Sequence, residues 1–329
     1  ALIPILVLVS MMAGACGSAT PAAPTGDDAS EHVRTESLEP VSLGEAEKLQ
    51  VVATTNIVAD VVARVGGDRI ELDTLMDIGV DPHSYVPTPA HTAAIHDAHV
   101  VFANGAGLED SLEEMFDSAG GDAVHVHVSH GLEHMVAQGS EDEAGPDHEH
   151  AHGEGEVDPH VWFNVQNVIH WVSQIEGALS SLNPDNAEYY AENAQAYIQE
   201  LEDLDAWVQE QVATIPEANR KLVTSHPSFG YLSERYDLEQ VGAVYPVSPS
   251  SEPSAQDIAA LEDAIRAFDV PAVFTESTIN PKLAAQVAAD TGVQLVSLYT
   301  GSLGTEGSGA ETYILMMRYD VAAIVDALK

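Results

Sequence analysis

The sequence predicts an α/β protein: two Rossmann-like lobes with mostly parallel sheets, joined by one long α-helix. Three observations predict it. Strand-like and helix-like segments alternate from residue 49 onward, the pattern of a parallel sheet. The same alternation resumes at residue 221. Between the two lies a helical stretch without a breaker, too long to pack inside one lobe.

In the first lobe, "LQVVATT" (49–55), "IELDTLM" (70–76), "AHVVFAN" (98–104) and "AVHVHV" (123–128) are short β-rich runs. "IVADVVARVG", "TPAHTAAIHDA" and "LEDSLEEMFDSAG" stand between them with helical spacing and end near Gly or Ala. "AQGSEDEAGPDHEHAHGEGEV" (137–157) has no apolar period and reads as a mobile loop. "VQNVIHWVSQIEGALSSL" (165–182) is an amphipathic helix that closes a lobe spanning 49–182.

The linking helix is expected over 183–216. Asn183 can cap it, Pro184 suits the first helical position, and about 30 helical residues would measure about 45 Å. The second lobe, 217–329, has strand-like runs "KLVTSH", "EQVGAVYP", "PAVFTES" and "VQLVSLY". Helices fit at 227–236, 254–268, 280–290 and 310–328. Ligands of open parallel sheets bind beyond the carboxyl ends of the strands, so the cleft between the lobes is the expected site.

Charge narrows the ligand. There are 53 Asp and Glu against 11 Lys and Arg, a formal net charge of −42. Phosphates would be repelled, which argues against nucleic acid and anionic substrates, whereas cations are attracted. An acidic, lysine-poor surface also suits a high-salt environment, where its self-repulsion is screened.

The N-terminus points to export. Residues 1–15, "ALIPILVLVSMMAGA", form an apolar run ending in small residues, like the core of a signal peptide whose charged start is missing. "AGAC" before "GS" resembles a bacterial lipoprotein box, with Ala13 where Leu is usual. Cys16, the single cysteine, would then be lipidated after removal of what precedes it. Residues 17–48 read as a flexible tether of Ala, Pro, Gly, Ser, Thr and acid.

Three histidines lie at strand ends or in the loops after them: His83 in "GVDPHSYVPTP", His160 in "EVDPHVWFN" and His226 in "VTSHPSFGYL". Each adjoins a proline, which stiffens the loop as a metal ligand requires. Asp81 and Asp158 stand two residues before their histidines, where a carboxylate could accept the second ring N–H. Three neutral imidazoles and an oxygen suit Zn²⁺, whereas Mn²⁺ prefers more oxygen. His148, His150 and His152 lie in the acidic loop, which can bind zinc only weakly because ordering it costs chain entropy. His125, His127, His130 and His134 form a further candidate cluster near the base of that loop, with 125 and 127 on one sheet face.

Residues 51–109, with "DPHVWFN", "TSHPSFGYL", "FTEST" and "DTGVQL" following in order, resemble the metal-binding substrate-binding proteins of bacterial zinc/manganese ABC transporters, the ZnuA and TroA types. The resemblance covers roughly residues 50–329. It implies two α/β lobes joined by one rigid helix, with the metal between them. It places three ligands on His83, His160 and His226, and the His-rich acidic loop before His160 is similar to that of zinc-type members. The family's fourth ligand is usually an Asp, but in "LYTGSLGTEG" the matching position is Gly301, which has no side chain to coordinate. Water, Glu276 of "FTEST" or a loop histidine could complete the shell.

The resemblance further implies capture of Zn²⁺, with Mn²⁺ as the second candidate, and delivery to an ABC permease. The protein would be a monomer held by its lipid on the outer face of the cytoplasmic membrane, in the periplasm or at the cell surface. A surface adhesion or zinc-buffering lipoprotein is one alternative. A zinc hydrolase with an open fourth position is another, but the chain has no nucleophile elbow and no obvious dedicated general base. A long connecting helix resists bending, so lobe closure should be small and local.

Overall fold

The computed structural model describes residues 38–44, 47–136, 157–245 and 253–329. Cys16, the leader around it, most of the expected tether, and His148, His150 and His152 lie outside the described residues.

The first sheet contains β1 (Leu49–Ala53), β2 (Ile70–Thr74), β3 (Val100–Ala103) and β4 (Val124–His127). The second contains β5 (Lys221–Thr224), β6 (Glu239–Ala243), β7 (Ala272–Glu276) and β8 (Gln294–Leu298). All strands pair in parallel, in the orders β2-β1-β3-β4 and β6-β5-β7-β8. The two sheets therefore repeat one topology. In each, the order reverses between the first and third strands, and the carboxyl ends there open toward a ligand. The central strands are buried on both faces, as parallel sheets require: β3 and β7 contain no exposed residue.

Helices α1 (Asn56–Gly66), α2 (Pro89–Asp97) and α3 (Glu113–Ala119) cover the first sheet. The Thr55 hydroxyl caps α1 by accepting the Val58 N–H, so this helix begins directly beyond the end of β1. α4 (Val165–Leu182) follows, capped by the Asn164 side chain. In the second lobe α6 (Gly230–Tyr236), α7 (Ala255–Ala267), α8 (Lys282–Thr291) and α9 (Tyr313–Leu328) pack on the sheet and on one another.

The linking helix α5 spans Ala187–Val212, shorter than its expected 183–216. Pro184–Asn186 form a 3₁₀ turn before it, and Pro216 disfavours helical geometry in the residue it follows. At 26 residues it measures about 39 Å. It packs on α1 and α4 of the first lobe and on α6 and α9 of the second.

One apolar core runs unbroken through both lobes. It joins Val51, Phe102 and Trp171 on one side to Leu201 and Leu204 of α5, then to Leu222, Phe274 and Met317 on the other. Smaller clusters line the outer face of each sheet, around Ile95 and Phe116 and around Leu261 and Val273. A hinge between the lobes would have to open the shared core. The end of the expected tether also departs from its reading. Leu38, Val41 and Leu43 pack against this core, and Val41 donates to the Leu182 carbonyl. Three spaced apolar side chains suffice to dock an otherwise polar segment.

Candidate metal centre

Each of the three predicted histidines is placed by a different device. Asp81 caps the 3₁₀ turn Pro82–Ser84: its Oδ1 accepts the His83 backbone N–H at 3.0 Å and its Oδ2 accepts the Ser84 hydroxyl at 3.1 Å. Both oxygens hold the loop rather than the His83 ring, which corrects the expected role of Asp81. Asp158 is placed differently from Asp81, against its histidine ring. Its Oδ1 accepts the backbone N–H of His160 at 3.0 Å and faces the ring Nδ1 at 2.7 Å. Space for this carboxylate comes from Gly230, where a Cβ would lie 2.7 Å from Asp158 Oδ2. The preceding Pro159 is held to the first sheet by Asn104, whose Nδ2 donates to the Pro159 carbonyl at 3.1 Å.

His226 follows β5 by two residues. Its ring Nδ1 lies 2.6 Å from Glu276 Oε1, which also accepts the His226 backbone N–H at 3.1 Å. The other oxygen, Oε2, accepts the Thr300 hydroxyl at 2.5 Å. Glu276 is therefore engaged behind the histidine, and this corrects its candidacy as a fourth ligand: it stands on the far side of the imidazole from the convergence point. With Nδ1–H donated to a carboxylate, each of His160 and His226 presents a lone pair at Nε2.

The Nε2 atoms converge. Those of His83 and His160 are 3.1 Å apart, and those of His226 and His160 are 3.0 Å apart. Tetrahedral Zn²⁺ with its usual bonds to nitrogen sets ligand nitrogens about 3.3 Å apart, so small adjustments complete the geometry. Among the described residues these three form the one group of His, Cys, Asp or Glu side chains whose ligand atoms gather within 4.8 Å. His160 and His226 are buried and His83 is half-buried. Burial, and then repulsion from the other two rings, push the His83 pKa down to about 2, so its ring is neutral and ready to bind.

Three imidazoles bring no charge to a dication. The carboxyl groups of Asp158 and Glu276 stand behind two of the rings, where they would compensate an ion without touching it. The cluster 125, 127, 130 and 134 does not join this centre. His125 packs edge-on against Phe116, and the His130 carbonyl pairs with the His170 ring.

Gly301 lies at the site's rim on the second lobe, against the first. A Cβ there would meet Pro82 Cδ at 2.7 Å. The ring next to His83 thus occupies the space that a side chain at 301 would need. Neighbouring Ser302 Oγ accepts the N–H of Gly79 at 2.7 Å and Asn56 Nδ2 at 3.1 Å. Asn56 Oδ1 in turn accepts the Leu303 N–H. No local motif marks Asn56, Thr300 or Ser302, and the orienting role of Glu276 has no local signature either. Its signal was a carboxylate at the end of a buried strand, legible only once β5 and β7 are known to be neighbours.

Residues 51–327 match the family model described as "Zinc-uptake complex component A periplasmic". The chain belongs to this family. It is 35% identical over 285 residues to the manganese-binding lipoprotein MntA of Halalkalibacterium halodurans, covering 86% of this chain and 90% of that one. It is 30% identical over 294 residues to the metal ABC transporter substrate-binding lipoprotein FimA of Streptococcus parasanguinis, covering 87% and 91%. The fold is similar to that of the periplasmic zinc-binding protein TroA from Treponema pallidum, with a TM-score of 0.75 and 31% identity over 86% of this chain and 99% of that one. A Mn-bound periplasmic metal-binding protein from Candidatus Liberibacter asiaticus gives the same TM-score at 25% identity, covering 86% and 100%. The two-lobed α/β architecture with parallel sheets is the family's fold, and the three histidines meet at its cleft.

Proposed function

We propose that this protein captures a divalent metal ion outside the cytoplasm at His83, His160 and His226 and delivers it to an ABC permease, with Zn²⁺ as the preferred ion. The observation that carries this reading is the convergence of three histidines, with the His160 Nε2 3.0–3.1 Å from those of His226 and His83 and two of the rings oriented by buried carboxylates. Zn²⁺ is favoured over Mn²⁺ because the set is all nitrogen and a side-chain oxygen at 301 is missing. Among its relatives, TroA is named for zinc and MntA for manganese. Water fills the fourth position in this reading, leaving the ion accessible for release. Hydrolysis is the weaker reading: Glu276, which it would need as a base, has both oxygens engaged by His226 and Thr300.

The protein is exported and held as a monomer at the membrane by lipid on Cys16. Support comes from the lipobox-like "AGAC" and from the lipoprotein names of its relatives. The loop carrying His148, His150 and His152 gathers zinc weakly and passes it to the cleft. Deleting residues 137–157 should slow zinc transfer and leave the tight site intact; unchanged kinetics and stoichiometry would remove that role.

The test of the main reading is calorimetric titration of the metal-free protein with zinc, with manganese as competitor, beside His83→Ala. One tight zinc site that manganese does not displace, lost in the variant, is the expected result. Binding indifferent to His83 overturns it.

A further inference from the structure

Residues 300–303 follow β8 and lie buried at the cleft, with Thr300 and Ser302 fully enclosed. They touch the support of every histidine in the site. The Thr300 hydroxyl donates to Glu276 Oε2, whose other oxygen holds His226. The Thr300 carbonyl accepts the indole N–H of Trp162 at 3.1 Å, and Trp162 packs edge-on against the His160 ring, with centroids 5.3 Å apart. Gly301 seats Pro82, the neighbour of His83. Ser302 Oγ accepts the N–H of Gly79, where the His83 loop begins. Asn56, at the start of α1, fixes the far end through Ser302 and Leu303.

We propose that Thr300–Leu303 acts as one positioning strap for the three-histidine site, with Thr300 orienting His226 through Glu276 and Ser302 holding the His83 loop through Gly79. The strap contributes no ligand. It sets three loops from two lobes to a common point, so the segment aligns ligands where a side chain at 301 would have bound the ion. Buried hydroxyls suit this role, because an isolated carboxylate oxygen at Glu276 would be costly and free to reorient. Partners of this kind are worth about 10- to 100-fold in metal affinity.

This inference rests on the metal-binding reading, and its test separates the two. The metal-free wild type, Thr300→Val, Thr300→Ser and Ser302→Ala would be titrated with Co²⁺, read by its visible d–d absorption, and with Zn²⁺ in competition. Thr300→Val, which keeps the shape and removes the hydroxyl, is expected to weaken both ions by about 10- to 100-fold and to change the cobalt spectrum. Thr300→Ser is expected to restore both. Once Glu276→Ala has removed the carboxylate, adding Thr300→Val is expected to cost little more, because the two act as a unit. Ser302→Ala is expected to weaken binding about tenfold. Wild-type affinity in Thr300→Val, a loss that serine does not rescue, or full additivity with Glu276→Ala would overturn the role of Thr300. Unchanged binding in Ser302→Ala would overturn the His83 half of the strap. A wild type that takes up neither ion defeats the metal reading itself, and the strap with it.

Discussion

Glu276 Oε1 lies 2.6 Å from the Nδ1 of His226, although fifty residues separate them in the chain. β5 and β7 are neighbours in the second sheet, with Thr224 paired to Phe274, so residues two beyond each pair also face one another. The histidine is thereby fixed in the tautomer that leaves Nε2 free for a metal.

Glu276→Ala should lower zinc affinity by about 10- to 100-fold while leaving one site per chain. Calorimetry reads both quantities. Unaltered affinity would mean that the carboxylate does not orient the ring in solution.

Gly301 of the second lobe lies against Pro82 of the first, with no room between them for a side chain. Gly301→Ala places a Cβ within 2.7 Å of the Pro82 ring, which is too rigid to yield cheaply. The substitution should cost about 1–3 kcal/mol of stability, typical of overpacking, and weaken zinc by displacing His83. Urea unfolding and zinc titration check it. A variant as stable as the wild type would show that the loop is loose.

Two groups, half-buried His83 and buried Glu109, oppose each other in the pH dependence of the metal-free protein. His83 is held down to about 2, against an ordinary value of 6.5. As pH falls below about 6.5 the unfolded chain takes a proton that the folded chain refuses, so His83 makes stability fall toward acid. Glu109 is the reverse. Burial pushes its carboxyl up to about 7 from an ordinary 4.5, against hydrogen bonds from Thr54 and the Asn104 and Gly105 amides. Its contribution is present in full below 4.5 and lost as pH rises to about 7. Relative to wild type, His83→Asn should gain stability between pH 7 and 5, and Glu109→Gln between pH 5 and 7.5. The slope per group is at most about 1.4 kcal/mol per pH unit. Urea unfolding at pH 5, 6 and 7.5 would show the opposite tilts, and parallel profiles would refute both assignments.

The shared core leaves little room for a wide hinge. Leu201 and Leu204 of α5 pack in one cluster with side chains of both lobes. Zinc should therefore change the radius of gyration by less than about 1 Å, on about 19 Å for a compact body of this size. Small-angle scattering with and without metal measures this, and a decrease of several ångströms would contradict it.

Much of the site was legible because its signals are local. "DPH" carries Asp158 and His160 together, and an i to i+2 hydrogen bond needs no long-range packing. Alternating strand and helix patterns likewise report burial period, which the chain expresses residue by residue. Asp81 shows the limit of the same argument: an identical tripeptide turns its carboxylate to the backbone and Ser84 instead of the ring. The difference is set by what surrounds each loop. Glu276, Thr300 and Asn56 were beyond reach for a stronger reason. Their roles depend on which strands are neighbours and on how one lobe is set against the other. By itself the sequence determined the α/β class, the eight strands, the linking helix and the three histidines, because each rests on period, breakers or adjacent residues. Only the tertiary structure decided which carboxylates orient the rings, that Pro82 fills the space at Gly301, and that one strap touches all three ligand supports. Those follow from strand order and interlobe packing, which bring together residues that the chain keeps far apart.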